Sequence, residues 1–144
     1  MMSVKAIPDG HHAITPYLVV NGVKDLLIFL KQAFSATEVV SPMYRPDGSI
    51  QHAEVRIGDS MLMMGEPMSG TDQIPAMLHL YVEDVDATYN SAMNAGAESL
   101  MVPINQFYGD RMSGVKDHFG NRWYIATHIE DVTPEELHRR STVR

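Results

Sequence analysis

The sequence predicts an α+β fold made of two βαβββ modules, whose curled mixed sheets surround a shared cleft with the helices outside. One observation is that the order strand, helix and three antiparallel strands occurs twice along the chain. The other is that the two halves align at a constant offset, so that Val20 matches Val82 and Gly58 matches Gly120. Because a single offset persists through a whole module, we infer an internal duplication.

The duplication divides the 144 residues into five segments. These are a leader over 1–12, a first module over 13–65, a linker over 66–76, a second module over 77–129 and a tail over 130–144. The leader ends in His11 and His12. We expect both to lie on the surface, since two neighbouring histidines on a polar segment make a poor metal site without further ligands.

Patterning and turns define the elements of the first module. Apolar residues at spacings of three and four, such as Leu26, Leu30 and Ala33, predict an amphipathic helix over 23–34. The sequence Arg-Pro-Asp-Gly at 45–48 predicts the turn of a hairpin. The strands of this module are predicted over 13–20, 38–44, 50–57 and 60–65.

The second module follows the same order and ends in a hairpin. Gly120 and Asn121 can adopt the positive φ that its tight reversal requires. In the tail, Thr133 stands before a proline as a helix N-cap, which predicts a short helix to about residue 139. The other elements are predicted as a helix over 84–95 and strands over 77–82, 99–102, 111–116 and 122–128.

Composition narrows the class of protein. A net charge of −7 argues against a nucleic-acid partner, which would require a basic face. The absence of cysteine excludes disulfides and thiolate metal sites. No run of 18 apolar residues and no apolar leader occur, so we expect a soluble, cytoplasmic protein without a membrane partner.

Two motifs near the end of the second module resemble a known superfamily. Asp-x-Phe-Gly-Asn-x-Trp at 117–123, preceded by Tyr-Gly-Asp-Arg at 108–111, resembles the vicinal oxygen chelate proteins, also called the glyoxalase and bleomycin-resistance superfamily. The motifs are most similar to its PhnB-like branch, and the resemblance covers about residues 13–131. It implies the duplicated fold, but it leaves the function open. The superfamily includes metal-dependent isomerases, dioxygenases and epimerases beside proteins that only bind a drug.

The resemblance also implies where a metal would be bound. Metal-binding members use His or Glu from the first and last strand of each module, and these four positions hold Thr15, Leu62, Met77 and Tyr124. None of these is a usual ligand of a divalent ion, so we expect no cofactor. The alternative is a rearranged site for Zn, Fe or Mn, with His52, Glu54 and His79 as ligands.

The alternation of side chains along each strand predicts which residues face the cleft. In a sheet covered by a helix on one side, the residues that face away from the helix line the cavity. Arg111 is a further candidate, since arginine can clamp an anionic ligand, or with Asp110 it can hold a loop. We predict ligand contacts from Tyr17, His52, Glu54, Met64, His79, Tyr124 and Arg111.

Two functions are compatible with this set of residues. The first is a metal-independent protein that binds a small, partly aromatic or apolar molecule in the cleft. The alternative is a glyoxalase- or dioxygenase-type enzyme, in which His52 or His79 and Glu54 serve as metal ligands or general base. We also expect a homodimer, because each four-stranded module has exposed edges that a symmetric partner can cover.

Overall fold

The computed structural model describes residues 3–68 and 72–142, which form two compact units that divide between Pro75 and Ala76. The described residues of the first unit form one α-helix and four strands: β1 (Tyr17–Val19), α1 (Val23–Phe34), β2 (Thr37–Tyr44), β3 (Ile50–Ile57) and β4 (Ser60–Gly65). The second unit repeats this order and adds a terminal helix: β5 (Met77–Tyr81), α2 (Val85–Asn94), β6 (Glu98–Asn105), β7 (Asp110–Lys116), β8 (Arg122–His128) and α3 (Pro134–Thr142).

Each unit contains one open four-stranded sheet, with the strand order β1-β4-β3-β2 in the first and β5-β8-β7-β6 in the second. In both sheets the first strand runs parallel to the last strand of its unit, and the remaining pairs are antiparallel. The predicted α+β class and duplicated βαβββ order are confirmed. None of the described helices is long and apolar enough to cross a membrane.

The predicted and observed elements differ most at two edge strands. The first strand is predicted over 13–20, but β1 contains only Tyr17–Val19, and it begins directly after Pro16, which has no N–H to donate. The sixth strand is predicted over 99–102, but β6 extends over Glu98–Asn105 and includes Pro103. A sheet tolerates proline in this place because β6 is an edge strand.

Helix α1 covers one face of the first sheet. Its apolar residues recur at helical spacing and are buried, among them Leu26 and Leu30. Gly22 begins the helix in a left-handed conformation (φ 84°) that glycine adopts without a steric penalty, and its N–H donates to Glu66 Oε1 at 3.1 Å. Leu18, Ala53, Val55 and Ile57 of this sheet are buried, and so is Val20, which follows β1.

Helix α2 covers the second sheet in the same way. The Asp84 side chain caps its N-terminus by accepting a hydrogen bond from Ala87 N at 3.1 Å. Val85 and Ala92 are its buried residues, and Trp123 and Ile125 of β8 are buried in the same unit. Each sheet therefore has one face that packs in the core, and we call the opposite face of each sheet its open face.

The last strand of the second unit, β8, does not keep the constant offset from its counterpart in the first unit, β4. In the first unit, Leu18 of β1 pairs with Met64 of β4. The offset that relates Val20 to Val82 maps Leu18 to Leu80 and Met64 to Ala126, so it predicts that Leu80 pairs with Ala126. The structure instead pairs Leu80 with Ile125. Relative to the constant offset, β8 is therefore displaced by one residue.

Two differences in length produce this displacement. Helix α1 has 12 residues whereas α2 has 10 residues, so the offset is already reduced when the chain enters the strands that follow the helix. The final hairpin increases the offset again by one residue. Its connection between the paired residues Lys116 and Arg122 is one residue longer than the connection between Arg56 and Met61, the equivalent pair of the first unit. The net change is one residue, which is enough to exchange the two faces of a strand.

This shift corrects two sequence expectations. The counterpart of Tyr124 in the first unit is Met63, not Leu62, because Met63 pairs with Tyr17 of β1 as Tyr124 pairs with His79 of β5. Leu62 and Met64 pair instead with the core residues Val55 and Ala53. Directly paired residues share a face, so both belong to the core face.

A buried carboxylate fixes the hairpin of the second unit. Asp117 is only 4% exposed, and its two oxygens accept hydrogen bonds from Phe119 N, Asn121 N, Asn121 Nδ2 and Trp123 Nε1 at 2.9–3.0 Å. Asn121 Oδ1 in turn accepts from Ala76 N at 2.9 Å, directly before β5. The motif at 117–123 therefore sets the turn, orients Trp123 and ties the hairpin to β5.

Trp123→Ala should lower the free energy of unfolding by about 3–5 kcal/mol. The side chain is 2% exposed and its indole N–H donates to buried Asp117, so truncation leaves a cavity and removes one partner of a buried acceptor. Urea denaturation monitored by circular dichroism measures the change.

Tyr124→Ala is the matched control, since it removes the neighbouring aromatic side chain from the open face of the same strand. It should cost much less than Trp123→Ala. A larger loss for Tyr124→Ala would contradict the assignment of the two faces of β8.

Candidate functional site

The open face of the first sheet carries polar side chains from two strands. Tyr17 of β1 pairs with Met63 of β4, and Met63 pairs with Glu54 of β3, so these three side chains form one row across the open face. His52 lies two residues before Glu54 and therefore shares its face. The sequence prediction that Tyr17, His52 and Glu54 lie on one face agrees with the structure.

Tyr17, His52 and Glu54 form a hydrogen-bonded chain, which we call the relay. Tyr17 Oη lies 3.1 Å from His52 Nδ1, and His52 Nε2 lies 2.9 Å from Glu54 Oε1. Tyr17 and His52 come from strands that β4 separates. Tyr17 reaches His52 because β4 has Gly65 at the crossing point, where an added Cβ would lie 2.8 Å from Tyr17 Oη.

The leader contributes a neighbour of the relay that sequence reasoning placed on the surface. His11 Nε2 lies 3.4 Å from Glu54 Oε2, and its side chain is 13% exposed. The prediction that His11 lies on the surface is therefore wrong. No local pattern indicates this contact, because it depends on how an irregular segment folds back over β3. Glu54 lies between two imidazoles, and its own side chain is 14% exposed.

Tyr17 stays protonated in this environment. Burial raises the pKa of its phenol, and the Glu54 carboxylate raises it further, while the Arg45 guanidinium acts in the opposite direction. The side chain nevertheless remains 45% exposed, so it is accessible to a ligand.

The open face of the second sheet is less polar and bears a cavity. His79 of β5 pairs with Tyr124 of β8, and Tyr124 pairs with Gly114 of β7. A Cβ at Gly114 would lie 3.0 Å from Tyr124 Cε1, so the glycine leaves room for the ring. The cavity has a volume of about 530 Å³ and is lined by Met77, Leu78, His79, Tyr108, Met112 and Tyr124.

A carboxylate-centred cluster lies on the same open face, beyond the residues that line the cavity. Asp110 is 3% exposed, and it accepts hydrogen bonds from Tyr81 Oη and His128 Nδ1, both at 2.8 Å. The other nitrogen of His128, Nε2, lies 2.7 Å from Asp131 Oδ1. The hydrogen bonds to Asp110 and then to Asp131 raise the pKa of His128 above its usual value. When protonated, His128 places a positive charge beside the buried Asp110 side chain.

Arg111 does not lie with the other predicted ligand contacts. Arg111 pairs with Thr127, and this pair lies on the same face of the sheet as the core pair Val115 and Trp123. Arg111 therefore faces the helix side of the sheet. Its guanidinium forms a bidentate pair with Asp86 of α2 at 2.8 and 3.0 Å and also donates to Asn105 Oδ1 at 3.0 Å. Arg111 attaches the helix to the sheet, and its predicted place in the ligand site is corrected.

Met64 is the second residue that the structure removes from the predicted set. It is 0% exposed and pairs with Ala53 on the core face. The physical reason is the difference in length between the two units, since a displacement of one residue reverses the direction of every side chain along the strand. Met63 occupies the open face in its place.

The side chains at the family's metal positions do not fit a divalent ion. With the corrected register these positions hold Thr15, Met63, Met77 and Tyr124, which supply neither imidazole nor carboxylate. Of the alternative ligands, His52 and Glu54 bond to each other in the first unit, whereas His79 lies in the second with its ring 4.9 Å from that of Tyr81. Within residues 3–68 and 72–142, no group of three or more His, Asp or Glu side chains is arranged to hold a metal.

Comparison with known proteins establishes the family. The profile of the Glyoxalase/Bleomycin resistance protein/Dioxygenase superfamily matches residues 10–125. The chain belongs to this superfamily. Uncharacterized proteins of Mycobacterium bovis and Mycobacterium tuberculosis are 33% identical to this superfamily member over 136 residues, which is 87% of this chain and 89% and 79% of the respective relatives.

Two solved structures show the same fold. TioX from Micromonospora sp. ML1 superimposes with a TM-score of 0.69 at 19% identity, over 82% of this chain and 99% of TioX. Protein PA1353 from Pseudomonas aeruginosa superimposes with a TM-score of 0.65 at 21% identity, over 81% of this chain and 98% of that protein. At this identity the likeness extends to the fold alone.

His128 should make stability depend on pH in a defined direction. Because its pKa is raised in the folded state, protonated His128 contributes stability that is fully present below the unfolded value of 6.5. This contribution is lost as pH rises through the folded-state pKa. Thermal or urea melts between pH 5 and 9 should therefore show a decline that His128→Gln removes.

The control for this experiment is His138→Gln, which changes an exposed histidine of α3. It should leave the pH dependence of stability as it is in the unsubstituted protein. An equal decline in His128→Gln and the unsubstituted protein would show that the Asp110 cluster does not titrate as described.

Proposed function

We propose that this superfamily member is a metal-independent protein that binds small, partly aromatic or apolar molecules on the open face of each sheet. The observation that carries this proposal is the cavity of about 530 Å³ in the second unit. Its volume is in the range of small-molecule pockets. Two methionines, a leucine and two tyrosines supply apolar and aromatic contact, while His79 and the tyrosine hydroxyls supply a few polar groups.

The chemistry of the metal positions supports binding without a metal. Thr15, Met63, Met77 and Tyr124 form a poor donor set for a hard or borderline divalent ion. At two of these positions the side chain is instead part of the cavity wall, since Met77 and Tyr124 both line it. The proposal is that the positions used for metal in other members serve here for direct ligand contact. The rival, a glyoxalase- or dioxygenase-type enzyme, requires a metal site built from other donors.

Three further properties belong to the proposal. The Tyr-Gly-Asp-Arg motif at 108–111 favours the PhnB-like branch of the superfamily. We propose cytoplasmic action, since the described helices include none that could span a membrane and the chain has no cysteine. We also propose a homodimer, because two apolar side chains, Val102 and Ile104, are exposed on the edge strand β6.

A neutral fluorescent aromatic compound, N-phenyl-1-naphthylamine, should bind the cavity, and Tyr124→Ala should weaken this binding roughly tenfold, equivalent to about 1.4 kcal/mol. The reason is that Tyr124 supplies a large aromatic surface to the cavity wall. Fluorescence titration gives the dissociation constant. A neutral compound is chosen because the protein carries a net charge of −7, which disfavours anionic dyes.

Tyr44→Ala is the matched control, because it removes an exposed tyrosine of β2 outside the cavity. This variant should bind the probe as the unsubstituted protein does. Equal weakening in both variants, or no binding to the unsubstituted protein, would contradict the cavity as the ligand site.

The homodimer predicts twice the mass of one chain, about 32 kDa from the 16.1 kDa chain. Size-exclusion chromatography with light scattering at micromolar concentration measures it. Charged substitutions on the exposed edge, Val102→Lys with Ile104→Lys, should shift the mass toward that of one chain. A monomeric mass for the unsubstituted protein would remove the dimer from the proposal.

A further inference from the structure

The hydroxyl of Tyr17 has one proton and two acceptors within reach, both belonging to the protein. His52 Nδ1 lies at 3.1 Å and the Gln51 carbonyl oxygen at 3.4 Å from Tyr17 Oη. Whichever acceptor receives the proton, the O–H bond points toward β3. The lone pairs of Oη that are not engaged then remain for a group outside the protein.

When His52 is neutral, its hydrogen bond to Glu54 makes Nδ1 the acceptor of this pair. An ionised carboxylate only accepts hydrogen bonds, so the His52 Nε2 that lies 2.9 Å from Glu54 Oε1 must carry a proton. In a neutral imidazole the other nitrogen, Nδ1, is then a lone-pair acceptor. The second oxygen of Glu54 lies 3.4 Å from His11 Nε2. The order of the relay, from Glu54 through His52 to Tyr17, fixes the direction of the Tyr17 hydroxyl.

We propose that Tyr17 is a directional hydrogen-bond acceptor that selects ligands carrying a hydroxyl group on an aromatic ring. The hydroxyl of the ligand donates to Tyr17 Oη. A ligand that offers only an acceptor forms no hydrogen bond there, because the proton of Tyr17 points toward β3. Tyr17 is therefore a specificity-determining residue, and His52 and Glu54 are positioning residues that act through it.

The surroundings of Tyr17 favour an aromatic ligand over a sugar or another polyol. Met63 lies beside Tyr17 on the open face, and Met43 and Val40, which pair with His52 and Glu54, are 54% and 45% exposed. These side chains offer apolar and sulfur contacts to a ring. The aromatic ring of Tyr17 itself remains accessible.

Charge around Tyr17 favours a neutral hydroxyl over an anion. Glu54 is the carboxylate of the relay, and Arg45 is the cation that acts on Tyr17. The Arg45 guanidinium is engaged, since Nη1 donates to Ser49 Oγ at 3.2 Å and Nη2 donates to the Glu66 carbonyl oxygen at 3.0 Å. An incoming anion would therefore meet the Glu54 carboxylate rather than a cation directed at it.

This inference rests on the proposed function, because it names the ligand class for the open face of the first sheet. It is separable from the cavity of the second unit, since no member of the relay lines that cavity. The first-unit face thus adds selection by hydrogen-bond polarity to a binding protein whose second unit offers an apolar cavity.

The test compares 2-naphthol with its methyl ether, 2-methoxynaphthalene, which has the same ring but cannot donate a hydrogen bond. We expect the unsubstituted protein to prefer 2-naphthol by roughly three- to tenfold, the range that a single net hydrogen bond supplies. Tyr17→Phe should remove this preference by weakening only the naphthol. Glu54→Gln should reduce the preference without removing it, because a neutral amide no longer requires His52 to carry its proton on Nε2.

Titration by NMR locates the binding, because the amide signals of β1 and β3 should shift with 2-naphthol. Tyr44→Phe is the control and should keep the preference, since Tyr44 lies at the end of β2 and pairs with Ile50 rather than with a member of the relay. A preference that survives in Tyr17→Phe, or equal affinity for both compounds in the unsubstituted protein, would overturn the inference. If N-phenyl-1-naphthylamine still binds in that case, the proposed function stands; if no aromatic compound binds at all, both fail.

Discussion

The register of the last strand of each sheet determines which side chains this protein can offer to a ligand. Side chains alternate strictly between the two faces, so a displacement of one residue exchanges the core face and the open face. In the second unit the buried Asp117 carboxylate holds the hairpin by four hydrogen bonds and places Trp123 in the core and Tyr124 on the open face. In the first unit a longer helix and a tighter hairpin place Met63, rather than Leu62, at the corresponding point.

Most of the fold could be predicted from local patterns. Helix α1 and strands β3, β4 and β8 begin and end at the predicted residues, because each combines a clear period with a defined turn or cap. The strands at the edges could not be placed equally well. The extent of β6 depends on pairing with β7 through register shifts, which neighbouring residues in the sequence do not encode.

The candidate site could be predicted only where the alternation of side chains along a strand assigned each residue to a face. This alternation places Tyr17, His52, Glu54, His79 and Tyr124 on open faces, because each lies in a segment long enough to count along. The prediction for Met64 fails because a constant offset does not hold through a helix and a turn that differ in length between the units. The prediction for Arg111 fails because its motif indicates a functional group but not its direction, which the ion pair with Asp86 determines. The contact of His11 comes from an irregular leader that has no period to count.

The two open faces differ in chemistry although they arise from one duplicated module. The first carries a relay whose polarity is set by a carboxylate, and the second carries an apolar cavity next to a buried Asp110 that is hydrogen-bonded to His128. The family's metal positions on these faces hold neither imidazole nor carboxylate. In the proposed account, selectivity comes from hydrogen-bond direction and from apolar shape, which are the two means that remain when no metal orients the ligand.

Native mass spectrometry of untagged protein, combined with elemental analysis of the same sample, tests the central claim of metal-independent ligand binding most directly. The account predicts that any bound species is an organic molecule and that zinc, iron and manganese are well below one atom per chain. It also predicts that treatment with a chelator leaves the melting temperature unchanged, because no ion stabilises the folded state. Stoichiometric metal, with a melting temperature that falls on chelation and recovers when the ion is restored, would contradict it.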